Sequence, residues 1–161
     1  MLESSWRPIL GRAGVATTRQ PSLSEHVHTD TAHQLGGVVY GDILAMFPRR
    51  LTLAGVFFNH PGADTYVPAA AATAGAAAKA RDDQNYRKHN RAGSGVYRMV
   101  PLSQEPYGRL GQPASQLLNQ LAILASCSGA VGKAQFVESA LRELGLFLLR
   151  SRLMGAWAVL L

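Results

Sequence analysis

The sequence predicts an α/β (α+β) protein, a small sheet flanked by helices with a helical C-terminal part. Three observations carry that prediction. Residues 51–58, LTLAGVFF, form an unbroken apolar run of strand length set off by Pro48 and Pro61, the pattern of a strand buried on both faces. Residues 96–102, VYRMVPL, alternate well enough for a second strand. The stretches between and after them have helical composition or spacing: alanine-rich residues 69–90, then apolar stripes at Leu117, Leu118, Leu121, Leu124, Ala125 and at Phe136, Val137, Ala140, Leu141, Leu144, Leu148.

At 161 residues the chain is long enough for one domain with a real core, and 47% hydrophobic against 16% charged residues is too apolar for global disorder. Lys and Arg number 16 against 10 Asp and Glu, a net charge of +6 with a pI near 10.0, so a polyanionic partner, nucleic acid above all, is expected. Cys127 is the single cysteine, which excludes an intrachain disulfide and a cysteine-rich zinc site and fits an intracellular location, nuclear or cytoplasmic. A buried free thiol is its expected role.

In chain order, residues 1–24 are rich in Ser, Thr, Pro, Gly and Arg and read as a flexible tail, leaving 25–161 as a single domain. The tail lacks the apolar core and cleavage site of a signal peptide. Glu25, His26, His28, Asp30 and His33 lie close together, but their spacing matches no standard metal-ligand pair, so they read as a polar turn. Gly36 and Gly37 break the chain, Gly41-Asp42 forms a turn, and residues 43–47 are a short apolar run. Gly55 is costly in mid-strand, with no side chain to pack.

Residues 69–90 read as one helix despite Gly75, its charged second half a solvated face. Pro113 suits the first turn of the next helix, and residues 128–132 separate it from the last. The apolar C-terminus, residues 144–161, is interrupted by Arg150 and Arg152 and makes a poor membrane span. Neither a membrane nor a small-molecule ligand is expected.

Several catalytic patterns fail. Residues 128–134, SGAVGKA, hint at a phosphate loop, yet Cys127 stands where its first glycine belongs and Ala134 cannot ligate magnesium. Neither G-x-S-x-G nor G-x-G-x-x-G occurs.

Taken as an ordered series, the middle of the chain resembles a known family. Gly41-Asp42-Ile43-Leu44, the basic spacer with Arg49 and Arg50, and Ala54-Gly55-Val56-Phe57-Phe58-Asn59-His60-Pro61 follow one another. Then come Tyr66, the alanine-rich helix, and the cluster Asn85-Tyr86-Arg87-Lys88-His89 with Arg91 beyond. Met99-Val100-Pro101-Leu102, Glu105, Gly108-Arg109-Leu110-Gly111 and Ser139-Ala140-Leu141-Arg142-Glu143-Leu144 complete it. This series is similar to the restriction-endonuclease-like domain C-terminal to the reverse transcriptase in non-LTR-type retroelement proteins, in a degenerate, truncated form. It covers roughly residues 41–150, and its order and spacing carry the likeness rather than any single motif.

The resemblance implies a mixed sheet flanked by helices and magnesium-dependent cleavage of a DNA phosphodiester, with acidic side chains at adjacent strand ends holding the metal and a lysine beside them. Asp42 matches the first acid and metal ligand, and Lys88 the lysine. Gly55 stands where the second acid belongs, and glycine cannot ligate a metal. The implied protein is an inactive relic that binds DNA weakly and without sequence preference, through Arg49, Arg50, Arg87, Lys88 and Arg91. Two other readings remain open: a small helical interaction protein without chemistry, and an active nuclease whose second acid is Asp64 or Glu105.

Overall fold

The computed structural model describes residues 3–19, 42–58, 65, 67–90, 97–105, 108–129 and 131–159. The histidine-rich segment, Asp64 and Arg91 lie outside the described residues. The elements, in order, are α1 (Glu3–Arg12), β1 (Ala16–Arg19), β2 (Ile43–Phe47), β3 (Arg50–Phe58), α2 (Val67–Ala72), α3 (Ala76–Asn90), β4 (Tyr97–Gln104), α4 (Gln112–Cys127) and α5 (Lys133–Val159).

The strands form one four-stranded sheet in the order β1-β2-β3-β4. The first two pairings are antiparallel and β3–β4 is parallel, from Leu51↔Tyr97 to Phe58↔Gln104. The expected mixed α/β class is therefore present, and an all-helical chain is not. Pro48-Arg49 makes the short hairpin turn between β2 and β3, since Phe47 pairs with Arg50. A parallel pair needs a crossover, and α2 and α3 lie within it.

Side-chain alternation divides the sheet into two unlike faces. On one, Ile43, Ala45, Ala54, Val100 and Leu102 join Trp6, Ile9 and Leu10 of α1, Leu117, Leu118 and Leu121 of α4, and Phe136, Ala140 and Leu144 of α5 in the main core. On the other, Leu53 and Met99 are backed by Leu51 and Phe57 in a much smaller cluster. On that face α3 packs along β4.

Residues 3–19, read from sequence as part of a flexible tail, are instead α1 and β1. Trp6, Ile9 and Leu10 fall at i, i+3, i+4, one helical face, and are fully buried. Arg12 ties α1 to α5: it pairs with Glu143 at 3.0 Å, donates to Ser139 Oγ at 2.7 Å, and sits 5.5 Å from the Phe136 ring centre. The continuous helix expected over 69–90 is broken into α2 and α3. Gly75 adopts φ +86, a left-handed conformation that no helix continues through.

Two smaller expectations also change. Cys127 is exposed rather than buried, because it lies two residues beyond Ala125 and so off the buried stripe of α4. On α5 the buried positions are Phe136, Ala140, Leu144 and Leu148, a narrow four-residue spacing that leaves Leu141 44% exposed.

Truncating Trp6 to alanine is expected to cost about 3–5 kcal/mol in urea denaturation, the range for a large aromatic removed from a close-packed core. Deleting residues 1–19 is expected to abolish cooperative unfolding. A dispensable tail would leave both measurements at the wild-type value.

Candidate functional site

Asp42 immediately precedes β2, and Ile43 pairs with Ala54, so Asp42 stands across from Gly55. The Val56 N–H lies past the end of β2 and donates to Asp42 Oδ2 at 2.6 Å. The carboxylate thus extends the ladder by one charge-assisted bond. The two positions that the resemblance assigns to acids are adjacent, Asp42 at the start of β2 and Gly55 in the interior of β3.

The second position has no room for one. A Cβ on Gly55 would come within 2.7 Å of Met99 Cε and of the Phe57 ring, so those side chains occupy the volume an aspartate would need. Magnesium prefers several oxygen ligands in near-ideal octahedral geometry. One half-buried carboxylate already bonded to a backbone amide, beside a filled glycine, does not fit it. Among the described residues no three His, Cys, Asp or Glu side chains come together as a metal site. Glu105, the alternative acid, is engaged elsewhere: its Oε1 accepts from the Ala78 N–H at 3.3 Å and caps the first turn of α3.

The topology gathers the predicted basic residues at the other end of the sheet. α3 runs antiparallel to β4: Ala78 meets Glu105, Asp82 faces Ser103, and Tyr86 feels the charge of Arg98. Its last turn, carrying Arg87 and Lys88, therefore lies toward the start of β4. The Arg49-Arg50 corner is at that end too, since Leu51 pairs with Tyr97. Arg49, Arg50, Arg87 and Arg98 are exposed. No Asp or Glu occurs between residues 43 and 63 or between 84 and 104. The backbone of Lys88 is thus distant from Asp42 and Gly55, and beside the arginines.

The charged half of α3 is not a simple solvated face. Asp82 and Asn85, at i+4 and i+7 from Ala78, are buried against β4. Ser103 of β4 and Glu105 just beyond it are buried opposite them, so the seam between helix and sheet is polar. Asp82 Oδ1, Asn85 Nδ2 and Ser103 Oγ have no hydrogen-bond partner among the described residues. Burial pushes the Asp82 carboxyl up from 3.8 to about 6. The Ser103 hydroxyl faces it and opposes the shift, although it falls short of full hydrogen-bond geometry.

Gly111 completes the seam. It is the N-cap of α4, and an added Cβ would run into Ser103 Oγ and the Asp82 carboxylate. The sequence reading places Asp82 on the solvated face of its helix. The one available signal was the spacing of Asp82 and Asn85 from Ala78, which places all three on one helical face.

Set against known proteins, the chain matches no protein-family model, no curated protein and no solved structure.

The raised Asp82 carboxyl makes a signed prediction. The folded state holds this proton more tightly than the unfolded state, so the contribution to stability falls as pH rises from 3.8 to about 6. Asp82→Asn, neutral at every pH, is expected to exceed the wild type at pH 7 by roughly 1–3 kcal/mol and to match it near pH 3.5. Chemical denaturation at the two pH values checks this; an equal difference at both would exclude burial of the charge as its cause.

Proposed function

We propose that this chain is a non-cleaving nucleic-acid-binding domain derived from a retroelement endonuclease. The observation that carries the binding half is the grouping of Arg49, Arg50, Arg87 and Arg98 at one end of the sheet, within two stretches free of acidic residues. Positive charge concentrated on one surface is the electrostatic footprint of phosphate-backbone binding. Contacts of this kind give weak, sequence-independent affinity.

The loss of cleavage follows from Gly55. Asp42 keeps a structural task by accepting the Val56 amide, so it would persist after the chemistry was lost. Phe57 and Met99 have closed over the partner position. The mixed sheet flanked by helices supports the ancestry, as does the placing of the two family acid positions side by side. Within this reading the protein works inside the cell, nuclear or cytoplasmic. Among the described residues no helix is long and apolar enough to cross a membrane.

Fluorescence anisotropy with a duplex oligonucleotide is expected to show binding that weakens steeply with salt. The Arg49→Ala/Arg50→Ala pair is expected to lower the log–log salt slope by about 2, roughly 0.9 per phosphate contact. Absence of binding at low salt would overturn the proposal. In a supercoiled-plasmid assay with magnesium, the wild type is expected to be silent. Gly55→Asp combined with Met99→Ala and Phe57→Ala supplies an acid and removes both side chains that fill its place, and is the variant in which nicking would return. Nicking by the wild type that Asp42→Ala removes would show that the second acid lies elsewhere.

A further inference from the structure

We propose that the cavity between α3 and the start of α4 binds a small zwitterion of the α-amino-acid type, its ammonium against Asp82 and its carboxylate against Arg109 and the first turn of α4. The cavity measures about 360 Å³ and is lined by Lys79, Asp82, Asp83 and Tyr86 from α3 and by Arg109 and Gly111 from the segment entering α4. That volume is in the range of small-ligand sites.

The charges around it select the ligand. Lys79 Nζ pairs with Asp83 Oδ2 at 2.8 Å, so these two offset each other. Asp82 and Arg109 remain. They do not pair with each other, and neither has another ion-pair partner among the described residues. Asp82 is only 4% exposed and its Oδ1 makes no hydrogen bond, a costly state for a carboxylate. The N-cap of α4 is a glycine that provides no side-chain bond, its first turn holds no acidic residue, and the Asp82 carboxylate packs beside that glycine.

A simple anion attracted to Arg109 and the helix end would be repelled by Asp82. A simple cation would meet Arg109. A molecule with both charges satisfies both ends and supplies the partner that Asp82 lacks. The site is at the opposite end of α3 from the arginine cluster, so the inference does not depend on nucleic-acid binding.

The test is a titration of the full-length protein with L-alanine and L-phenylalanine, followed by amide NMR shifts, with acetate, ethylammonium and uridine monophosphate as controls. The amino acids are expected to saturate shifts at Gly75, Asp82, Arg109 and Gly111, with half-saturation near about 1 mM. Acetate and ethylammonium should bind about tenfold more weakly, a difference of about 1.4 kcal/mol. Asp82→Asn and Arg109→Gln should each cost at least about tenfold, with the circular dichroism spectrum unchanged. The proposal is overturned by no saturable shift at these residues, by acetate binding as well as the amino acids, by tighter binding of the nucleotide, or by wild-type affinity in either variant.

Discussion

β3 is hydrogen-bonded on both sides, antiparallel to β2 and parallel to β4, and the rest of the fold is arranged around that central position. A strand buried in this way must be apolar on both faces, which residues 51–58 satisfy. The parallel partner also dictates a crossover, and the crossover brings α3 onto the face that the other helices leave open. Removing the β3–β4 pairing would leave α3 without a surface and β4 without a neighbour.

The two faces of the sheet are stabilised by different physics. One is an ordinary apolar core in which α1, α4 and α5 close over small and branched side chains from three strands. The other carries only a small apolar cluster, and α3 meets it through Asp82, Asn85, Ser103 and Glu105. Groups buried there without partners among the described residues weaken the seam, since each forgoes the hydrogen bonds it made with water. That weakness is concentrated beside the cavity, where a bound ligand could recover it.

The two ends of the sheet differ in charge for a related reason. At the Asp42 end two of the acidic groups are tied to backbone amides, Asp42 to Val56 and Glu105 to Ala78, where they finish a strand and a helix. At the other end the hairpin corner and the last turn of α3 project arginines without neighbouring acids.

The sequence by itself determined the strand at residues 51–58, a second strand at 96–102 (observed at 97–104), the two C-terminal helices, and the glycine at position 55. These depend on local composition and on periods of two and 3.6 residues, which a linear reading can detect. Tertiary structure decided the rest. Trp6, Ile9 and Leu10 stand amid Ser, Arg, Pro and Gly, and only their docking against α5 and β2 makes that stretch part of the core. Asp82 has the same side chain as its half-exposed neighbour Asp83, and packing against β4 separates a buried carboxyl from one that reaches solvent. Likewise Arg49 and Arg87 are 38 residues apart in sequence and share one end of the molecule through the strand pairing. Burial and proximity of this kind are set by contacts distant in the chain, and residue identity does not encode them position by position.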